Sequence, residues 1–174
     1  MGLFNNLFGR GDSDQGKPDA DAKTPAPRDG SLRLSEKAIF LGLTAATKEQ
    51  AIRFAGEQLV KAGCVTPAYI DAMLTRENKV STYLGQSLAM PHGTNEAKSE
   101  VLRTGIVVCQ YPDGVQFGKG SDEIARLVIG VAAQGNDHIG IISRLAEALE
   151  DDRTVNRLAT TRNVRDFLSV LNPG

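Results

Sequence analysis

Residues 104–133, TGIVVCQYPDGVQFGKGSDEIARLVIGVAA, contain two apolar segments that decide the fold class. Residues 104–111 are rich in Ile and Val, which favours a β-strand. Residues 124–133 are apolar without alternation, which predicts a second strand buried on both faces. Between them, residues 112–114 (PDG) are typical of a turn, and residues 115–117 are predicted to return from it as the arm of a hairpin.

Two helices are predicted before these strands. Thr47 and Gln50 have the spacing of a capping box, and Gly63 stands where a helix of that length would end. Thr66 and Pro67 are predicted to be the N-cap and the first residue of the next helix. A short apolar run ending at Pro91 lies between this second helix and the first long strand.

Three helices are predicted after the strands. The first is expected to be capped by Asp137, and two short ones are expected around residues 155–159 and 164–171. Helices on both sides of a buried strand pair predict an α/β fold with a mixed sheet.

The composition is that of a globular domain and excludes several classes of protein. Of the 174 residues, 41% are hydrophobic and 24% are charged, and the formal net charge of −1 does not favour a general nucleic-acid binder. No apolar run approaches the roughly 20 residues that span a bilayer, and no signal peptide is recognised. The two cysteines, Cys64 and Cys109, are too few for a disulfide framework. They are interpreted as small buried hydrophobes in a protein of the reducing cytoplasm.

The first 31 residues differ from the rest. Residues 9–31 offer only three alanines as apolar side chains, so residues 1–31 are predicted to form a disordered tail and linker ahead of a domain at 32–174. Residues 2–8 allow two interpretations. One is a chance set of hydrophobes, and the other is a short amphipathic helix that makes weak contact with a membrane surface through Leu3, Phe4, Leu7 and Phe8.

His92 is the first candidate for chemistry, in the sequence Met90-Pro91-His92-Gly93-Thr94. Pro91 restricts the backbone before it, and Gly93 leaves the space beside the imidazole free, which suits a histidine that a bulky reactant must approach. The alternative is a histidine that only makes hydrogen bonds within a loop.

His138 and Arg76 are the other candidates. His138 lies at the start of a predicted helix, where anions are favoured, and it could donate to a phosphoryl oxygen or serve as a surface or capping residue. Arg76 lies at the end of the second helix, where it could bind a phosphoryl group, complement the helix dipole or pair with an acid. No pair of histidines and cysteines has the spacing of metal ligands, so neither a metal nor a cofactor is expected.

Several motifs occur in the same order as in a known family. In these motifs the sequence resembles the enzyme IIA domain of the mannitol/fructose class of the bacterial phosphoenolpyruvate-dependent sugar phosphotransferase system. The resemblance runs over about residues 35–172, and the PHGT and QYPxGVxFG stretches are most similar to the mannitol-specific branch. It is carried by six segments: 72–77 (AMLTRE), 81–85 (STYLG), 89–94 (AMPHGT), 110–118 (QYPDGVQFG), 125–133 (ARLVIGVAA) and 136–139 (NDHI).

The resemblance implies a mixed, mostly parallel sheet with helices on both faces. It implies that His92 accepts a phosphoryl group from phospho-HPr on Nε2 and passes it to a cysteine of a IIB domain of a membrane sugar permease. His138 and Arg76 are implied to lie at the same site. The mannitol-type assignment implies a role in sugar uptake and phosphorylation, with the acceptor on a separate chain.

Two other functions remain open on the sequence. Relatives of the nitrogen branch receive phosphate but act as regulators that bind target proteins. A metal-binding or structural domain that uses the two histidines is the other alternative.

Overall fold

The computed structural model describes residues 32–172. The predicted tail at residues 1–31, with its amphipathic start at 2–8, lies outside the described residues. The strands are β1 (Ile39–Phe40), β2 (Tyr83–Gly85), β3 (Leu88–Ala89), β4 (Gly105–Gln116) and β5 (Ile124–Ala132). The helices are α1 (Lys48–Lys61), α2 (Ala68–Lys79), α3 (Asp137–Ala148), α4 (Asp152–Thr160) and α5 (Val164–Leu171), and short 3-10 helices form at Glu36–Ala38 and Asn95–Glu100.

The five strands form one mixed sheet in the order β1-β4-β5-β3-β2. β1 is parallel to β4 and β3 is parallel to β5, whereas the β4–β5 and β2–β3 pairs are antiparallel. The expected mixed sheet is confirmed, although parallel pairs are as numerous as antiparallel ones and do not form a majority. The reason is local, because β4 and β5 follow one another through a short loop and consecutive strands joined in this way pair antiparallel.

Helices cover both faces of the sheet, as predicted. Side chains alternate along the central strands, so Val107 and Cys109 of β4 pack in the cluster that contains α1 and α2. Ile106 and Val108 point the other way, into the cluster that contains α3, α4 and α5. β5 is buried on both faces, which confirms the prediction from its unbroken apolar sequence.

Local signals located most of the helices correctly. The Thr47 side chain accepts a hydrogen bond from the backbone N–H of Gln50, which is the first bond of the predicted capping box. The Gln50 side chain accepts from the N–H of Ala46, one residue before the N-cap, and so satisfies a neighbouring donor in place of that of Thr47. Gly63 follows α1 with a φ of +73°, in the left-handed conformation that ends many helices. The helices expected around 155–159 and 164–171 are α4 and α5.

The hairpin prediction at residues 112–114 was wrong. These residues lie within β4, whose pairing with β5 shifts register between Gln110 and Val115, and Gly114 has a φ of +79°. The sequence therefore forms a bulge, which accommodates a proline without a ladder N–H and a glycine with positive φ inside a long strand. The hairpin closes further on, where the N–H of Phe117 donates to the carbonyl of Glu123.

Two predicted helix starts were displaced. Asp137 is the first residue of α3, and Asn136 occupies the N-cap position. α2 begins at Ala68, one residue later than predicted. The hydroxyl of Thr66 donates to the carboxylate of Glu100, so it does not serve as a cap. Within residues 32–172, no helix has both the length and the apolar composition that crossing a bilayer requires.

Candidate active site

A cavity of about 390 Å³ opens where β3 and β5 end. These strands are parallel neighbours, so their carboxyl ends meet at one edge of the sheet, where ligand sites in α/β proteins commonly form. The chain leaving β3 stays in register with β5 as far as His92, which pairs with Val131. The chain leaving β5 turns into α3 five residues after Ala132. Both predicted histidines therefore reach the same cavity, together with Arg76 of α2.

His92 is half-buried and has a defined proton position. Its Nδ1 lies 2.9 Å from the carbonyl oxygen of Met90. Because a carbonyl can only accept, Nδ1 carries the proton and Nε2 keeps the lone pair in the neutral ring. Burial lowers the pKa of His92 below its ordinary value of about 6.5, so the neutral ring dominates at pH 7.

The groups around His92 act on its charge in opposite directions. The positive charges of Arg76 and His138 add to the lowering of the pKa of His92 by burial, whereas the Met90 carbonyl and the charge of Glu77 partly offset it. His138, the second residue of α3, stacks beside His92 with ring centroids 6.1 Å apart and planes 25° from parallel. An imidazole at this distance is placed to contact a group attached to His92.

Arg76 complements the C-terminal end of α2, one of the roles that the sequence left open, and also lines the cavity. Its Nη1 donates to the carbonyl oxygen of Val80, 2.7 Å away, at the C-terminal end of α2, where a cation is favoured. The guanidinium also lines the cavity, and its remaining N–H donors are available in addition to the one bound to Val80.

Lys79 and Lys98 extend the positive charge around the opening, and sequence reasoning did not identify them. Both line the cavity, and the Nζ of Lys98 donates to the side-chain oxygen of Asn136 at 2.7 Å. Exposed lysines are common, so only their position beside the two histidines distinguishes them. With Arg76 they give the cavity lining three permanently charged cationic side chains against one carboxylate, that of Glu96, so the cavity is suited to an anion.

One exposed apolar side chain lines the same opening, and another follows His138 in the sequence. Val80 lines the cavity and is 65% exposed, and Ile139, next to His138, is also 65% exposed. Large hydrophobic side chains exposed around a polar cavity are typical of surfaces that dock other proteins.

Tyr69 fixes the segment after His92, and sequence reasoning did not identify it either. Its hydroxyl donates to the carbonyl oxygen of Val131 and accepts from the N–H of Gly93, both at 2.8 Å. A methyl group at position 93 would overlap the Tyr69 ring. Gly93 is therefore required for close packing as much as for access to the imidazole.

Comparison with known proteins gives a consistent assignment. The family model for "Phosphoenolpyruvate-dependent sugar phosphotransferase system, EIIA 2" matches residues 33–173. The mannitol-specific EIICBA component of Escherichia coli K12 is 58% identical over 140 residues, which are 80% of this chain and 22% of that protein. The chain thus spans about a fifth of that relative. The mannitol-specific phosphotransferase enzyme IIA component of Bacillus subtilis is 40% identical over 139 residues, 80% of this chain and 96% of that protein.

A solved structure agrees with the sequence relatives. The NMR structure of a complex of enzyme IIAMTL and phosphorylated enzyme IIBMTL from Escherichia coli matches with a TM-score of 0.80 and 56% identity, covering 82% of this chain and 99% of the matched chain. These findings confirm the resemblance to the mannitol type that the sequence motifs indicated. The chain belongs to the EIIA 2 family of the phosphoenolpyruvate-dependent sugar phosphotransferase system.

Proposed function

We propose that this protein is a phosphoryl carrier that accepts phosphate from phospho-HPr on Nε2 of His92 and donates it to a cysteine of a mannitol-type IIB domain. The observation that carries the proposal is the hydrogen bond between His92 Nδ1 and the Met90 carbonyl. It assigns the free lone pair to Nε2, and burial favours the neutral, nucleophilic ring.

Each transfer exchanges one bond to phosphorus for another. In the first step the lone pair of Nε2 attacks phosphorus, the P–N bond to the donor imidazole breaks, and its electron pair returns to the donor nitrogen. In the second step a cysteine thiolate of the acceptor attacks, a P–S bond forms, and the electron pair of the breaking P–N bond returns to Nε2 of His92. Both steps depend on in-line positioning and charge stabilisation.

The cavity supplies that stabilisation from cationic and donor groups. The guanidinium of Arg76 offers planar N–H donors to phosphoryl oxygens, and His138 lies beside the reacting ring. Lys79 and Lys98 add positive charge at the opening. Val80 and Ile139 give a docked partner an apolar contact that excludes water, so phosphate passes to the partner and not to solvent.

The relatives support the proposed partners. The mannitol-specific names of the Escherichia coli and Bacillus subtilis relatives support mannitol as the sugar. The complex of enzyme IIAMTL with phosphorylated enzyme IIBMTL supports a IIB domain as the acceptor. HPr as donor rests on family membership. We place the protein in the cytoplasm, at the inner face of the membrane where the permease would present its IIB domain.

The test is stepwise phosphorylation followed by intact-mass spectrometry at neutral pH. Phosphoenolpyruvate, enzyme I and HPr are expected to add one acid-labile phosphoryl group to the wild-type chain and none to His92→Gln. A mannitol-type IIB domain should then remove that group, and a fructose-type IIB domain should remove it more slowly. Phosphorylation without transfer to either IIB domain would favour the regulatory alternative, and failure to phosphorylate a folded protein would refute both.

A further inference from the structure

Glu77 is a buried carboxylate that the proposed transfer does not use. It lies near the end of α2 and is 4% exposed, and among residues 32–172 it is the one charged residue in the buried interior. A buried charge costs several kcal/mol unless hydrogen bonds or an opposite charge offset that cost. The partners of Glu77 therefore show what it holds in place.

The carboxylate binds the turn that follows its own helix. Oε1 accepts from the hydroxyl of Ser81 at 2.8 Å, and Oε2 accepts from both the backbone N–H of Thr82, at 2.8 Å, and the Thr82 hydroxyl. Lys48 of α1 completes the set, with its Nζ 3.5 Å from Oε1. Thr82 is itself buried, so this turn has little freedom while the carboxylate is present.

From Thr82 the hydrogen bonds continue to His92. The carbonyl of Thr82 accepts from the N–H of Met90 at 3.1 Å, and the carbonyl of Met90 accepts from Nδ1 of His92 at 2.9 Å. The peptide groups on both sides of Met90 are thus aligned by the turn that Glu77 holds. Moving Thr82 would move Met90 and weaken the bond that places the proton on Nδ1.

The same turn orients Arg76. The Val80 carbonyl, which accepts from Arg76 Nη1, lies one residue before Ser81 and two before Thr82, the two residues that bind Glu77. One carboxylate therefore stabilises the turn on which the proposed nucleophile and the proposed phosphoryl-binding cation both depend.

We propose that Glu77 is a positioning residue: through the turn 80–82 it holds His92 in the Nδ1–H tautomer and Arg76 at the cavity. The proposal rests on His92 being the phosphoryl acceptor. Glu77 itself touches neither the reacting nitrogen nor the incoming group. A carboxylate that only stabilises the fold would leave the tautomer of His92 unchanged when it is neutralised.

The experiment measures the ring ¹⁵N shifts of His92 in the unphosphorylated protein, and the rate of phosphate acceptance. Wild type is expected to show a protonated Nδ1 and a lone pair on Nε2. Glu77→Gln should shift the ring toward a mixture of tautomers and slow acceptance by about tenfold, since a charged hydrogen-bond acceptor becomes a neutral one. Thr82→Val should give a smaller change in the same direction, and Thr82→Ser, which keeps the hydroxyl, should behave as wild type.

Asp166→Asn is the matched control. Asp166 also accepts from a threonine hydroxyl, that of Thr161, but it lies on α5, across the sheet from α2. It should leave the His92 shifts unchanged. Equal shifts in Asp166→Asn and Glu77→Gln would overturn the proposal, as would a folded Glu77→Gln with wild-type shifts and rate. If Glu77→Gln does not fold, a tautomer shift in Thr82→Val and its absence in Thr82→Ser support the proposal, and identical spectra in both refute it.

The ¹⁵N shifts and the rate of phosphate acceptance distinguish a failure of the proposed role of Glu77 from a failure of the proposed function. The ¹⁵N shifts are recorded without phosphate, so they test the role of Glu77 even where a wild-type chain fails to accept a phosphoryl group. That failure would refute the proposed function, and altered shifts with an unchanged rate would refute the contribution of positioning to transfer.

Discussion

His92 and His138 stack beside one another at the cavity, with ring centroids 6.1 Å apart and planes 25° from parallel. They reach this arrangement from different elements, His92 from the chain after β3 and His138 from the first turn of α3. The Nδ1 proton of His92 is fixed by the Met90 carbonyl, and burial lowers the pKa of His92.

The two histidines are expected to respond differently to substitution. His92→Gln should abolish acid-labile phosphorylation while the protein stays folded. His138→Ala should still be phosphorylated but on the order of ten- to a hundredfold more slowly, because one hydrogen bond to a charged group is lost. Rapid-quench phosphorylation by phospho-HPr measures both. If His92→Gln were phosphorylated and His138→Ala were not, the roles assigned to the two histidines would be reversed.

Replacing Arg76 by Lys should slow transfer with little change in stability. The ammonium keeps the charge, but it cannot bind the Val80 carbonyl and present a planar pair of donors to a phosphoryl group at the same time. We expect a loss of about tenfold in transfer rate. Arg103→Lys is the control, since the Arg103 guanidinium also donates to a carbonyl at a helix end, that of Ala62, and does not line the cavity. Equal rate losses in both variants would contradict a specific role for Arg76.

The rate of phosphate acceptance should be constant near neutral pH and fall only in acid. In the proposed mechanism the neutral ring is the nucleophile. Burial lowers the pKa of His92 from its ordinary value of about 6.5, so protonation should inactivate the ring only as the pH falls through that lowered value. Measuring the single-turnover rate from neutral to acid pH checks this. A rate that rises with acid would exclude the neutral ring as nucleophile.

The free energy of unfolding should also depend on the protonation of His92, and it should decrease in acid. The unfolded chain binds a proton on His92 more readily than the folded protein does, so the free energy of unfolding should decrease as the pH falls from about 6.5 toward the lowered folded-state pKa. Denaturant titrations of wild type and His92→Gln over that window isolate the effect. A decrease of the same size in His92→Gln would assign it to other groups.

Tyr69→Phe should destabilise the protein and slow transfer together. It leaves the Gly93 N–H and the Val131 carbonyl without their partner, at a cost of about 1–3 kcal/mol in the free energy of unfolding. Tyr83→Phe is the control, because the Tyr83 hydroxyl likewise accepts from a backbone N–H, that of Ser87, away from the cavity. A Tyr69→Phe variant as stable and as fast as Tyr83→Phe would show that the bonds to Gly93 and Val131 contribute nothing.

The sequence predicted most of the secondary structure because its signals are local. Thr47, Gln50 and Gly63 lie within a few residues of the backbone groups that they satisfy, and the buried strand β5 is visible as an unbroken apolar run. The motifs around His92, His138 and Arg76 were recognisable for the same reason. The composition of residues 112–114 is compatible with either a turn or a bulge. The sequence favoured a turn, whereas the pairing of β4 with β5 produced a bulge at Gly114.

What the sequence by itself determined was therefore the α/β class, three candidate site residues (His92, His138 and Arg76) and the family. The tertiary structure decided which atoms of those residues are available. The proton on Nδ1 of His92 depends on the Met90 carbonyl. The N–H of Met90 donates to the carbonyl of Thr82, whose own N–H donates to Glu77. Likewise, Tyr69 meets Gly93 and Val131 only because α2 packs over the ends of β3 and β5. Residues 24 and 62 positions apart are brought into hydrogen-bond contact by the order of strands in the sheet, and no local pattern along the chain records that order.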